Sequence, residues 1–413
     1  MVPAPEECFG VRVCIVYDCL FPLTVGGAER WYRNLAERLA REGHEVTYLT
    51  RRQWPRGADP GVPGVRVVAV APGWGLYTRD GRRRIMPPLA FGIGVLRHLL
   101  RHGHRYDVVH TASFPYFSVL AAALARARHR FELVVDWHEV WSRSYWREYL
   151  GPLGPVGAWV QRRCARVRQQ AFCFSRLHAE RLRSEGLRGE PTILRGEYAE
   201  GAPPRAPEPA EPYLLFAGRY IPEKRVPLLV QAYAQAVQRA PELRLELLGD
   251  GPERPQVEQL VRRLGLEDKV AIRGFVPPEE VERRIARSLC LVLPSQREGY
   301  GMVVVEAAAR GVPSIVVAGP DNAAVELIEE GENGYVCPEP SADALAATIL
   351  KVRDAGAELR ARTARWYQRN REELSLERSL ATLLAFYGGE VARPPHNLPR
   401  SATQKRLAQA SDR

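Results

Sequence analysis

The chain has 413 residues, 46% of them hydrophobic and 26% charged, enough material for two domains of ordinary size; a lone small binding module and a globally disordered chain are both excluded. Fifty-nine Lys and Arg against 48 Asp and Glu leave a formal charge of +11, which admits nucleic acid, a membrane surface or a phosphorylated small molecule as partner. The excess lies wholly in residues 1–200, with 30 basic and 19 acidic side chains, whereas residues 201–413 carry 29 of each.

Strand-like and helix-like runs alternate from the start, the pattern of parallel β/α layers. In the first half strands are expected at Val11–Tyr17, Glu45–Thr50, Val65–Ala71, Asp107–His110 and Leu133–Asp136. Helices are expected at Gly27–Glu42, Leu89–Arg101 and Tyr116–Arg126, then at about Val156–Gln170 and Leu177–Ser184. The Pro/Ala/Glu-rich stretch AEGAPPRAPEPAEP has no apolar periodicity and reads as a linker. A second series follows, with short buried strands at Tyr213–Ala217, Leu243–Leu248, Val270–Arg273, Leu289–Leu293 and Ser314–Val317. Helical patterns at Val226–Arg239, Pro255–Leu264, Glu279–Ser288 and Val303–Arg310 separate them. The expected organisation is a first domain over 1–198, a linker over 199–212 and a second domain over 213–387. A last helix near 374–387 could pack back on the first domain, and 388–413 would be a disordered tail. Two such α/β domains leave a cleft, and open parallel sheets bind ligands at the carboxyl ends of their strands.

Three loops at such ends carry chemistry. After the first strand come Gly26 and Gly27, at a helix start where N–H groups can meet an anion, although a plain tight turn gives the same pair. The segment PSQREGYGMVVVEAAARGVP follows the strand ending at Leu293. Its helix should open near Gly301, with the N–H groups of Gly301, Met302 and Val303 forming a phosphate cradle. Glu298 on the loop and Glu306 inside the helix flank that position, and their carboxylates can accept hydrogen bonds from a ribose on one side and a hexose on the other. In LLFAGRYIPEKR, Gly218 ends a strand, and Arg219 and Lys224 can reach a diphosphate. Lys224 is one of only four lysines in the chain. The alternative for it is a solvated surface lysine.

Taken together these segments resemble the retaining glycosyltransferases of family 4, over about Val11–Tyr387. The most specific element is the spacing of Glu298 and Glu306, seven residues apart, supported by GRYIPEKR and by LLGDGP at Leu247–Pro252. The resemblance implies an α/β GT-B fold, two Rossmann-like parallel-sheet domains facing each other across a cleft. It also implies ribose binding by Glu306, donor-sugar contact by Glu298, and donor binding by Gly299 and Tyr300. Diphosphate contact would fall to Arg219 and Lys224, with Gly27 approaching the same phosphates from the opposite domain. His138, in Asp136-Trp137-His138-Glu139, would face the donor sugar as a catalytic-site residue beside Glu298, Arg219 and Lys224. On physical grounds a lone loop histidine serves equally as a structural hydrogen bonder, and His110 at the preceding strand end competes with it. At Gly319-Pro320-Asp321-Asn322 the sequence departs from the family pattern, which often has a second Gly and a Glu there.

The implied reaction moves a sugar from a nucleoside diphosphate donor to an acceptor hydroxyl. No cofactor is expected, and no metal, since no Asp-x-Asp stands in the chain. The rivals are a nucleotide-sugar epimerase, a dinucleotide-dependent oxidoreductase, and a membrane-surface or nucleic-acid binder. The missing G-x-G-x-x-G after the first strand opposes the oxidoreductase. No nucleic-acid-binding module stands in the chain. The basic stretch from Arg82-Arg83-Arg84-Ile85 through Arg105, and Trp159–Arg183, read either as an anionic-membrane face or as solvated helix faces. Seven cysteines without C-x-x-C spacing suit a reducing compartment. The start does not read as a signal peptide, and Val108–Ala125, the longest stretch free of charged residues, is too polar for a spanning helix. The protein is therefore expected to be cytoplasmic, in contact at most with the inner face of the membrane.

Overall fold

The computed structural model describes residues 10–24, 26–76, 84, 86–198 and 209–388. Arg82, Arg83, Ile85, Cys8, most of the expected linker and all of the expected tail after residue 388 lie outside the described residues.

In the first half the elements run β1 (Arg12–Val16), α1 (Gly27–Arg41), β2 (Glu45–Arg51), β3 (Val65–Ala71), α2 (Met86–His102), β4 (Val108–Ala112), α3 (Phe117–Ala125), β5 (Glu132–Trp137), α4 (Arg143–Leu150), α5 (Gly154–Ala165), β6 (Gln170–Cys173), α6 (Arg176–Ser184) and β7 (Thr192–Ile193). In the second they run β8 (Tyr213–Ala217), α7 (Val226–Arg239), β9 (Arg244–Leu248), α8 (Arg254–Arg263), β10 (Val270–Arg273), α9 (Pro278–Arg287), β11 (Cys290–Leu293), β12 (Arg297–Glu298), α10 (Met302–Ala308), β13 (Ser314–Val317), β14 (Asp321–Asn322), β15 (Gly334–Cys337), α11 (Ala342–Leu374) and α12 (Leu376–Phe386).

Two parallel sheets result. One has the order β3-β2-β1-β4-β5-β6-β7 and the other β10-β9-β8-β11-β13-β15, while β12 and β14 form a separate two-stranded pair. The central strands are apolar runs such as Cys-Leu-Val-Leu in β11 and Ser-Ile-Val-Val in β13, buried at every position, because helices cover both faces of a parallel sheet. Helix α1 shows how the cover is made. Trp31, Tyr32, Leu35, Ala36 and Leu39 recur at helical spacing and are buried, while Arg and Glu take the other side. In each sheet the strand order reverses beside the first strand, at β1/β4 and at β8/β11, which is where such folds open a crevice.

Several expectations need correction. The helix expected at Val156–Gln170 ends at Ala165, because the Gln169 side-chain amide donates to the carbonyls of Cys164 and Val167 at 2.8 and 3.0 Å. Gln170–Cys173 is then free to form β6 between β5 and β7. The strand β15 and the long α11, kinked at Gly356, carried no expectation. The helix expected over 374–387 is α12, which starts afresh at Leu376 after the N-cap Ser375.

The last described helix, α12, returns to the first domain. Tyr198 bridges Ser375, Leu376 N donates to Tyr198 O at 2.8 Å, and Arg38 on α1 reaches Glu377 at 2.8 Å. Beyond α12 the Tyr387 hydroxyl meets His110 Nδ1 at 2.5 Å. Six cysteines are free and buried, and burial raises their thiols, that of Cys290 to about 12. Among the described residues no helix is long and apolar enough to cross a membrane.

Candidate functional site

The carboxyl ends of the two sheets face each other, and the loops there touch. A Cβ added to Gly27, at the start of α1, would lie 3.5 Å from Met302 Cε at the start of α10. Gly26, with φ of −176°, is extended, and a Cβ on it would strike the Glu29 carboxylate at 2.3 Å. A Cβ on Gly299 would sit 2.6 Å from His138 O and 2.9 Å from Glu139 Cγ. The glycine therefore lets the second-domain loop lie directly on the backbone that carries His138.

Along that loop successive residues diverge, because side chains of an extended chain alternate. Glu298 is ion-paired with Lys224, both side chains largely buried. Tyr300 is buried and its hydroxyl donates to Arg195 O in the first domain. Gly301 has φ of +100°, and a Cβ there would meet Ala324 Cβ at 2.6 Å; conformation and space both require glycine. The helix it opens, α10, has only seven residues. Met302 and Val303 are partly buried in its first turn. Glu306 follows within the same helix, and burial raises its carboxyl, opposed by Arg30 and Arg310. Its carboxylate forms no hydrogen bond among the described residues.

The loop after β8 is held by glycines of the next loop. A Cβ on Gly249 would fall 1.9 Å from Gly218 O and one on Gly251 2.4 Å from Tyr220 O. LLGDGP thus packs its backbone directly on Gly218–Tyr220, fixing the approach to Lys224. Arg219 is exposed and forms no hydrogen bond or ion pair among the described residues, so its guanidinium is free. Arg225, next to Lys224, is the one non-glycine residue among those described with positive φ, +48°, a conformation that costs free energy and recurs at functional turns.

The two histidines separate clearly. His110 is fully buried, with Nε2 2.9 Å from Asp136 Oδ1 and Nδ1 on Tyr387. Asp136 also accepts from Trp31 Nε1 at 2.8 Å. Burial alone would raise the Asp136 carboxyl, but His110, His138 and the Trp31 bond hold it below its ordinary value. His138 stacks on Phe174 at 4.3 Å and 7°, and its Nδ1 lies 3.5 Å from Glu197. Its Nε2 has no partner among the described residues.

The structure therefore brings Gly27, His138, Lys224, Glu298, Gly299, Gly301 and Met302 to one place, with Glu306 a turn further along α10, while Arg219 is exposed just after β8. Sequence reasoning passed over the residues that join the halves. Asp321 accepts from Ser142 Oγ at 3.0 Å and from Arg181 at 2.6 Å. Glu326 caps α6 by accepting from the N–H groups of Arg176 and Leu177 at 2.9 and 2.7 Å. Arg297 pairs with Glu139. For Asp321 the signal was present, since it lies where the chain leaves the family pattern.

Two family models match the chain: "Glycosyl transferase 4-like domain" over residues 26–195 and "Glycosyl transferases group 1" over residues 203–371. The D-inositol 3-phosphate glycosyltransferase of Nocardia farcinica is 30% identical over 402 residues, covering 88% of this chain and 86% of that protein. An exopolysaccharide phosphotransferase of Streptomyces coelicolor is 34% identical over 151 residues, but there the match spans 36% of this chain and only 15% of the relative. Among solved structures, the Anabaena protein HepE in complex with UDP superposes with a TM-score of 0.70 at 18% identity, covering 90% of this chain and 98% of that one. With two facing parallel-sheet domains, both family models in chain order and a near full-length relative, the chain belongs to the group 1 glycosyltransferases and has their GT-B fold.

Proposed function

We propose that the protein moves a sugar from a nucleoside diphosphate sugar to an acceptor hydroxyl with retention of anomeric configuration. The observation that carries this reading is a set of polar groups left incomplete where the two sheets meet. His138 Nε2 is buried without a partner, the carboxylate of the partly buried Glu306 has no hydrogen bond among the described residues, and Arg219 stands exposed and unpaired among them just after β8. Buried polar groups of this kind cost stability unless something completes them. The hydroxyls and phosphates of a nucleotide sugar supply what each lacks.

Glu306 accepts ribose hydroxyls, and Glu298, oriented by Lys224, meets the donor sugar together with His138. As the bond from the anomeric carbon to the diphosphate breaks, Arg219, Lys224 and the N–H groups of Gly301, Met302 and Val303 stabilise the charge that collects on the diphosphate. The acceptor hydroxyl attacks on the face the diphosphate leaves, and a diphosphate oxygen takes its proton, which gives retention. The outward faces of α2 and α5 expose Ile93, Leu100, Val156 and Trp159 among Arg97, Arg101 and Arg163, supporting an acceptor presented at an anionic lipid surface.

The test is a panel of labelled nucleotide sugars, scored for slow hydrolysis and for transfer with and without anionic vesicles. Lys224→Ala should lower turnover by about 100-fold or more, the scale of losing one transition-state charge partner, and Glu306→Ala should lower turnover at limiting donor by about 10-fold or more, the scale of losing a hydrogen bond to a charged acceptor. If both turned over near the wild-type rate, the site assignment would be wrong. Acceptor-free conversion of the donor into an isomeric nucleotide sugar would mark an epimerase instead.

A further inference from the structure

Within the most specific motif of the chain, Arg297 has no assigned part, yet its surroundings are the most elaborate at the domain boundary. Its guanidinium lies over two aromatic rings of the first domain, 5.0 Å from the centroid of Trp141 and 4.5 Å from that of Tyr145. It pairs with Glu139 of the first domain and lies 3.8 Å from Glu223 of the second. Both carboxylates are themselves bound to the aromatic pair: Trp141 Nε1 donates to Glu139 at 2.7 Å and the Tyr145 hydroxyl to Glu223 at 2.8 Å. The arginine side chain is 16% exposed. A cation between two aromatic faces and two carboxylates is held by attraction from every side in a partly desolvated setting.

The neighbours along the chain give this box its meaning. Arg297 and Glu298 are consecutive in β12 and diverge, one into the first domain and the other toward Lys224. Glu223 and Lys224 are consecutive on the facing loop. Two ion pairs therefore stand side by side in crossed order, Arg297 with Glu223 and Glu298 with Lys224. On the other side, Glu139 is the residue after His138, and Gly299 lies against His138 O. Seating Arg297 therefore fixes three groups together: the Glu298 carboxylate, the Lys224 ammonium and the backbone of His138.

We propose that Arg297 is a positioning residue whose insertion between Trp141 and Tyr145 couples closure of the two domains to assembly of the site. In this role it acts through Glu298, Lys224 and His138 rather than on the donor itself. The role assigned to those three rests on the proposed function; the coupling of Arg297 to closure does not.

The test compares wild type, Arg297→Met and Arg297→Lys by small-angle scattering, ligand-free and with saturating UDP, by UDP calorimetry and by transfer kinetics. Methionine keeps the length and apolar contact but removes the charge; lysine keeps the charge. The expected result is a more open particle for Arg297→Met, UDP affinity within about threefold of wild type, and kcat lower by roughly 10- to 100-fold, the scale of losing one partner of a desolvated charge pair. Arg297→Lys should recover closure and much of kcat. Wild-type compactness in Arg297→Met, or UDP affinity falling in parallel with kcat, would overturn the proposal. Should Arg297→Met fail to fold, Glu139→Gln interrogates the same pair from the other domain and must give the same opening. If the wild type turns over no nucleotide sugar, the functional reading falls, while the ligand-free scattering still decides the coupling.

Discussion

Replacing Asp136 by asparagine tests how the first domain presents its histidine. Asp136 is fully buried; Trp31 Nε1 donates to one oxygen at 2.8 Å, and His110 Nε2 lies 2.9 Å from the other as an ion-pair contact off hydrogen-bond geometry. The carboxylate beside Nε2 favours the tautomer protonated there, in which the Tyr387 hydroxyl donates to Nδ1, and only a carboxylate can face both N–H groups as an acceptor. An amide accepts on one side and presents its own N–H on the other, so one buried donor faces another donor, costing about 1–3 kcal/mol. Losing the charge on the remaining bond adds roughly 1 kcal/mol, for a total near 2–4 kcal/mol. In a folding unit of this size each kcal/mol moves Tm by about 2–4 °C, so Asp136→Asn should melt ~5–15 °C lower at pH 7, measured by calorimetry and by tryptophan fluorescence. The gap should narrow in acid. The folded carboxyl lies below its ordinary value of 3.8, so its stabilisation is complete above that pH and is lost as pH falls through the lower folded value. A Tm within about 2 °C of wild type at pH 7 would refute the carboxylate's role.

Two glycines at the cleft should respond differently to alanine. Gly27→Ala adds only an ordinary contact within the protein, with Met302 at 3.5 Å, so it should leave Tm near wild type, while narrowing the approach to the proposed diphosphate site should raise the donor KM. Gly299→Ala drives a Cβ to 2.6 Å from His138 O and should lower kcat by at least tenfold, since displacements near 1 Å at a reacting centre carry penalties of that order; steady-state transfer rates separate the two. His178 lies almost wholly buried, and burial pushes it down to about 3 from an ordinary 6.5. It should make the protein less stable as pH falls from about 6.5 toward 3, because the unfolded chain takes up a proton that the folded chain refuses. His178→Asn, which can still accept from Val140 N–H, should flatten that part of the pH–Tm curve.

The parts of the molecule legible in its sequence are those decided locally. Runs such as Leu-Val-Leu and Ile-Val-Val, set between helical patterns, suit strands covered on both faces, and the strand-loop-helix order places Glu298 on the loop after a strand and Glu306 in the helix that follows. Strand β6 was obscured because Gln170-Ala-Phe-Cys continues an arginine-rich helical pattern, and only the side chain of Gln169, folded back on the helix end, breaks it. The choice between His110 and His138 was open because the sequence places both at or just past the end of an expected strand. It turns on Tyr387, 277 residues from His110 in the chain. Arg297 was invisible for the same reason: its partners Glu139, Trp141 and Tyr145 lie about 150 residues upstream, and no local pattern marks a side chain whose surroundings are built by another domain.

The return of the chain at Ser375 bears on mechanics. The second domain is connected to the first at two places, after Tyr198 and before Leu376, and these two crossings are bonded to each other. A body attached at one point can swing and twist in any direction; one attached by two adjoining strands turns chiefly about the line they define. Opening therefore resembles a book on its spine. The faces part most at the edge far from Tyr198 and Ser375 and slide little past each other. On closing, each side chain of one face comes back to the same counterpart on the other, which is the condition for an arginine to find a slot between two rings on every cycle.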